Sequence, residues 1–280
     1  LADLWYWPYE LIPRRRLSAI AAPGPRRGAL IRVEDGFADV HPWPELGDAP
    51  LDEQLAKLRR VQTTALTAAS LRFAAIDAAA RRAGKSVFEG LVIPPSHWPG
   101  TDPPDGFDTV KLKSIDRIPE NVRLRIDFNA SLTPDEFVRI AAMLPHERID
   151  FIEDPCPYDA ATWRMLRERT GLRLALDRGT GAEEIDVLVV KPAVQQIPRT
   201  NAEVVVTSYM DHPIGQLCAA YAAASAGITA TCGLVTHVLY ENDPFIERMR
   251  IDGACLVPQE GTGFGFDDLL EALPWRRLPG

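Results

Sequence analysis

At 280 residues with 46% hydrophobic side chains, the chain can hold one large domain or two of unequal size around a sizeable core. Its formal net charge of −8 argues against a nucleic-acid or anionic-membrane surface, leaving Arg14-Arg15-Arg16 and Arg26-Arg27 as candidate local anion contacts. No apolar run approaches the roughly 20 residues of a transmembrane helix, and the aromatic, acidic start is unlike a signal peptide.

Four cysteines, Cys156, Cys218, Cys232 and Cys255, lack metal-ligand spacing and fit a reducing cytoplasm better than a disulfide framework. The first fifty residues read as short strands and turns: Leu30 to Val33, a turn at Glu34-Asp35-Gly36, and a return over Phe37 to Val40. His41-Pro42-Trp43-Pro44 predicts an extended aromatic loop in which His41 is structural rather than catalytic. From Leu51 to Gly84 the spacing of Leu51, Leu55 and Leu58, then of Leu66, Phe73, Ile76 and Ala80, predicts one helical region. A change of pattern near Leu91 marks a boundary between a small α+β domain and the main one.

Eight apolar runs then alternate with helix-like or turn-rich segments. They are Leu91 to Ile93, Thr109 to Lys113, Val122 to Asn129, Ile149 to Glu153, Leu172 to Asp177, Val187 to Lys191, Val204 to Ser208 and Ile228 to Leu234. That alternation predicts an α/β barrel of the (β/α)8 type, since an open doubly wound sheet would carry a Gly-rich phosphate turn that is missing here. Phe137 to Leu144 and Trp163 to Arg169 read as helices. Lys113 to Asp127 and Asp177 to Lys191 are close to the shortest workable crossover, so two outer helices should shrink to a turn or so.

Five successive strands end in a polar residue: Lys113, with Lys111 on the same face, then Asp127, Glu153, Asp177 and Lys191. In Arg123 to Asn129 the alternation puts Arg123, Arg125, Asp127 and Asn129 on one face and Leu124, Ile126 and Phe128 on the other. Three carboxylates on adjacent strand ends repel one another unless a cation lies between them, and hard oxygen donors select Mg²⁺, with Mn²⁺ as a substitute. Lysines beside that cation suit proton abstraction α to a carboxylate, the cation stabilising the charge and a lysine of lowered pKa taking the proton. Structural ion pairing between facing strands is the bland alternative.

The order Lys111-x-Lys113, Asp127-x-Asn129, Glu153-Asp154-Pro155, Asp177 and Lys191-Pro192 resembles the enolase superfamily, in the branch of muconate-lactonizing enzymes, acylamino-acid racemases, dipeptide epimerases and o-succinylbenzoate synthases. Gly36 to Pro42, the Ala-rich stretch from Ser70 to Ala83, and Gly261-Thr262-Gly263-Phe264-Gly265-Phe266 are similar to the family's cap strand, cap helix and C-terminal return. The resemblance implies a modified (β/α)7β TIM-type barrel over 91–235 and an α+β capping domain over 1–90, completed by 236–280. Arg125 to Asn129, Glu153 to Cys156 and Val190 to Pro192 are most similar to the synthase family. Ala193-Val194-Gln195-Gln196 stands where the branch's racemases usually carry a Gly-Gly pair.

The implied reaction is syn dehydration of a succinyl-hydroxycyclohexadiene carboxylate to o-succinylbenzoate, in menaquinone biosynthesis. Lys113 would be the base, Lys191 the cation over the ring, and Lys111 the charge that lowers the pKa of Lys113. Asp127, Glu153 and Asp177 would hold Mg²⁺, and Asn129, Arg125 and Ser208 would support a ligand or touch substrate. Departures from the pattern are Arg178 after Asp177 and the run Ser208-Tyr209-Met210-Asp211-His212 near the seventh strand. An N-acylamino acid racemase or dipeptide epimerase would use the same lysines, the difference lying in a pocket set by Leu17 to Arg27 and the last two strand ends. A non-catalytic metal-binding barrel is the third reading, against which both lysines argue. Ser208, Asp211 and His212 lie too close in sequence for a hydrolase triad. The expected partner is a small-molecule carboxylate, with no nucleic acid, membrane or obligate protein partner.

Overall fold

The computed structural model describes residues 3–17, 21–177, 179 and 184–278; Ser18, Ala19, Ile20 and Arg178 lie outside the described residues. Strands β1 (Leu4–Leu11), β2 (Arg26–Val33) and β3 (Gly36–Val40) form an antiparallel sheet. The Leu51 to Gly84 region is two helices rather than one, α1 (Leu51–Arg59) and α2 (Ala65–Arg82). Apolar spacing runs on across the break, which Val61 makes by turning left-handed (φ +60°). Thr64 then restarts the helix with a reciprocal cap, its hydroxyl accepting from the Thr67 amide while the Thr67 hydroxyl accepts from its own. Helix α2 lies so close on β3 that a Cβ at Gly36 would meet the Ala74 carbonyl oxygen at 1.9 Å.

Six parallel strands follow in spatial order: β4 (Thr109–Leu112), β5 (Arg123–Asp127), β6 (Ile149–Glu153), β7 (Leu174–Asp177), β8 (Val187–Val190) and β9 (Glu203–Val206). Helices α3 (Pro134–Ala141) and α4 (Ala160–Thr170) cover them outside, where Leu124, Ile126 and Ile152 pack with Phe137 and Trp163. The alternate residues Phe151, Ala175, Val187, Val189 and Val205 form the inner cluster. Helix α5 (Pro213–Ser225) follows β9.

Two expected strands, Leu91 to Ile93 and Ile228 to Leu234, are absent as such. Single parallel bridges complete the ring instead: Trp98 with Val110, Ser96 with Cys232, and Thr207 with Gly233. The amides of His97 and Cys232 donate across that seam, to the Cys232 and Pro95 carbonyls. No helix occupies the β4–β5 or β8–β9 connections, or the described residues between β7 and β8. The sequence spacing anticipated the first of these but not the second; the expected turn between Asp177 and Lys191 falls mostly outside the described residues.

The remaining chain returns to the first sheet through β10 (Arg250–Asp252), β11 (Cys255–Val257), α6 (Asp267–Ala272) and β12 (Arg276–Arg277), which pairs with β1. Gly263 bridges Ser86, and the fully buried Asp77 of α2 accepts from the amides of Phe37 and Phe264 at 2.8 and 2.6 Å and from Arg81. No described helix is long and apolar enough to cross a membrane.

Candidate active site

Period-two alternation decides what the strand ends present. Asp127 shares a face with Arg125, Glu153 with Phe151, Asp177 with Ala175, and Lys191 follows Val187 and Val189, so all four point into the ring. Lys111 on β4 and Lys113 just past it join them. They line a cavity of about 830 Å³ at the carboxyl ends of the strands, together with Asn129, Asp154, Ser208 and others. Four of its lining residues, Asn129, Ala130, Asp154 and Met210, have left-handed backbones (φ +50°, +55°, +43° and +51°). Such strain persists only where surroundings over-determine it: the Ala130 amide donates to the Asp154 carbonyl at 2.7 Å, and the Asp154 amide to Ala175 at 2.9 Å.

Lys111 Nζ stands 2.7 Å from both oxygens of Glu153 and 3.1 Å from Asp127 Oδ2, and Lys191 pairs with Asp177. Burial alone would push Lys111 down, but the three carboxylates hold it well above an ordinary lysine. Lys113 is pushed down to about 8 by burial, against the opposing pull of Asp127 and Glu153, which the Lys111 and Lys191 charges offset in part. Burial raises Glu153 despite Lys111, and burial with Glu153 and Asp177 pushes Asp154 up to about 8. Lys111, Lys113 and the Asn129 amide keep Asp127 low against its burial.

With the ammoniums between the carboxylates, no three ligating side chains among the described residues converge on one point. The donor set nevertheless suits a hard divalent cation. Hard oxygens project from three neighbouring strand ends, and Glu153 and Asp154, raised first by burial, are raised further by the neighbouring carboxylates, a charge that such a cation relieves.

Of the supporting residues expected from sequence, Asn129 serves Asp127 by its backbone amide at 2.9 Å, and Ser208 shares a hydrogen bond with Thr236 at 2.6 Å. Arg125 is not on the cavity wall: buried behind it, the guanidinium binds Asp150, the Thr231 carbonyl and His97. Among the described residues the cap contributes Arg15, Arg16, Leu17, Trp43 and Leu46, and of Leu17 to Arg27 only Leu17. Lys113 Nζ donates to the Leu17 carbonyl at 2.9 Å, tying the cap to that lysine. Arg26 is no anion contact, being buried, paired with both oxygens of Glu45 and stacked 3.9 Å over Trp43. Arg14 is committed to Tyr240 O and Asn242.

His41 is structural, bonded to the Tyr9 hydroxyl at 2.9 Å. Asp211 and His212 lie in the same buried cluster as Asp39, away from Ser208, so no triad forms. Sequence reasoning did not single out His97, Thr207, Gly233 and Thr236 on the wall: Thr207 follows the inward Val205 by two residues and could have been found by alternation, His97 and Gly233 sit at single bridges, and Thr236 opens a 3-10 turn.

Residues 4–80 match the model of the O-succinylbenzoate synthase N-terminal domain, and residues 105–198 that of the enolase C-terminal domain-like family. An o-succinylbenzoate synthase of Bdellovibrio bacteriovorus is 35% identical, the alignment covering 98% of each chain. Among solved structures, a mandelate racemase/muconate lactonizing protein from Herpetosiphon aurantiacus superposes with a TM-score of 0.76 at 13% identity, over 95% of this chain and 97% of that one. A dipeptide epimerase from Enterococcus faecalis gives 0.74 at 16%, over 94% and 98%. These two share the fold, a TIM-type barrel with a capping domain; the Bdellovibrio relative carries the assignment further. The chain is an enzyme of the enolase superfamily and belongs to its o-succinylbenzoate synthase family.

Proposed function

We propose that the protein is an o-succinylbenzoate synthase, dehydrating a succinyl-hydroxycyclohexadiene carboxylate to o-succinylbenzoate in menaquinone biosynthesis. The observation that carries the reading is that two lysines, Lys113 and Lys191, line one cavity with three strand-end carboxylates, burial pushing Lys113 down to about 8. Residues 1–90 with 236–280 act as the cap, and 91–235 as the barrel that presents the site. Asp127, Glu153 and Asp177 would hold Mg²⁺, which when bound supplies Lewis-acid stabilisation of the charge developing on the substrate carboxylate.

The chain's own groups do the rest. The neutral amine of Lys113 takes the α-proton, and the C–H electron pair moves into the carboxylate to give a dienolate. The electrons then return to form the ring double bond as the C–O bond breaks. The departing hydroxide takes the proton back from Lys113 and leaves as water, on the face from which the proton was removed. Lys191, held over the site by Asp177, stabilises the dienolate by its charge. Lys111 offsets part of the negative charge of Asp127 and Glu153 and, as a fixed cation, favours release of the proton from Lys113.

A racemase would use the same two lysines on opposite faces of an N-acylamino acid, so substrate choice separates the readings. Purified protein with Mg²⁺ is offered the diene, followed by its ultraviolet absorbance, and separately N-succinylamino acids in deuterated water. Loss of the diene supports the synthase. Deuterium incorporation without loss of the diene transfers the assignment to a racemase.

A further inference from the structure

The cavity wall carries, beside β4, a histidine that the proposed chemistry does not use. His97 is buried, and its backbone amide is pinned to the Cys232 carbonyl at 2.8 Å on the seam that closes the barrel. Its Nδ1 lies 3.1 Å from Arg125 Nη1. A guanidinium can only donate, so Nδ1 is the acceptor and the proton of the neutral ring sits on Nε2. Arg125 cannot turn away, because its Nε donates to Asp150 at 2.8 Å and Nη1 also donates to the Thr231 carbonyl at 2.7 Å. Burial and the charges of Arg125 and Lys111 keep the imidazole uncharged.

The other edge of the ring is left clear. His97 Nε2 makes no hydrogen bond among the described residues, and it is not sealed off as the unpartnered nitrogens of His41 and His212 are. It lies against Gly233, another cavity-wall residue, where a Cβ would come within 2.8 Å of His97 Cε1 and 2.9 Å of Nε2. The backbone of Gly233 is not left-handed, so the lack of a side chain there serves the space beside the ring.

Resting on the synthase reading for the identity of the substrate, we infer that His97 Nε2–H is a substrate-binding donor, fixed in one tautomer by Arg125 and aimed at an acceptor oxygen of the substrate other than those of the reacting carboxylate. The ketone or terminal carboxylate of the succinyl group is the class of acceptor it fits. A neutral donor with no freedom to reverse its tautomer selects for an oxygen at that place and rejects an analogue lacking one, because the N–H would be left unpaired.

The test combines kinetics with nuclear magnetic resonance on the full chain with Mg²⁺. With histidine labelled in ¹⁵N, His97 is expected to show an unprotonated Nδ1 and a protonated Nε2. The Nε2 proton should move downfield when o-succinylbenzoate is added. His97→Leu should lower kcat/KM on the order of 10- to 100-fold. His97→Gln, whose amide can accept from Arg125 and still donate to substrate, should recover most of it. Gly233→Ala, which leaves the Arg125 contact in place but crowds Nε2, should raise KM more than it lowers kcat. A protonated Nδ1, or an Nε2 proton that bound ligand leaves unmoved while His97→Leu keeps its activity within twofold, overturns the inference. If the diene is not turned over yet the Nε2 proton responds to a bound N-succinylamino acid, the synthase reading falls and the role of His97 stands.

Discussion

The depressed pKa of Lys113 makes a quantitative demand on the pH profile. An ordinary lysine at 10.5 is neutral in about one molecule in 3,000 at pH 7; at about 8 it is neutral in about one in ten, roughly a 300-fold gain in competent base. The limb of kcat/KM assigned to this base should therefore rise about tenfold per pH unit and level off near pH 8. The neighbours set the direction of the next perturbation. Lys111 pushes Lys113 down and also neutralises Asp127 and Glu153, which push it up. Lys111→Met removes the first effect and exposes the second, so the inflection should move to higher pH and activity at pH 7 should fall, with partial recovery at pH 9 to 10. Initial rates across that range, with Mg²⁺ saturation checked at each pH, measure it. An inflection that stays where it was in Lys111→Met would refute the electrostatic argument. So would a wild-type inflection above 10.

Two further perturbations test how the cap is held. Gly36→Ala drives a Cβ into the Ala74 carbonyl and the Ala78 side chain of α2, and should cost about 1–3 kcal/mol in urea unfolding with activity retained in the folded fraction. Asp39 and Asp211 meet over Gly215 in a buried cluster with Tyr9, His41 and His212. Asp39 is pushed up to about 7, chiefly by burial, and Asp211 is raised too, by burial and by Asp39. A carboxyl whose folded pKa is raised holds its proton in the native state after the unfolded chain has lost it. Its contribution is therefore full below about pH 4 and is lost as pH rises through about 7. Asp211→Asn removes one of the two charges and should flatten the decline in stability between pH 5 and 8; equal slopes for variant and wild type would remove the pair from the account.

The site was more legible than the framework around it. An aliphatic run such as Val187 to Val190 has no packing reason to finish in Lys191, and the same reasoning exposed Asp127, Glu153 and Asp177, because alternation alone puts strand-end residues on the inner face. The break at Val61 was hidden because the apolar positions of α1 and α2 stay nearly in phase across it, and a Thr64–Thr67 cap is a weak signal beside that continuity. Strand β1 was not anticipated: Pro8 stands in mid-strand, and its aromatic run makes sense only once β2 and β12 flank it. The first closing strand was placed at Leu91 to Ile93 on hydrophobicity, whereas the chain closes through Ser96 to Trp98; the last was placed over Ile228 to Leu234, within which only Cys232 and Gly233 pair, by single bridges. Arg125 was legible as inward-facing but not as paired, since Asp150 and His97 come from other segments.

The most direct test of the central claim is the rate of diene loss by purified protein with Mg²⁺, set beside Lys113→Ala and a chelator-treated sample. Turnover by the wild type that disappears in both controls, with Lys113→Ala still folded and still binding o-succinylbenzoate, is the predicted result. Turnover that survives in Lys113→Ala, or a wild type that binds the diene and Mg²⁺ without consuming it, would contradict the account.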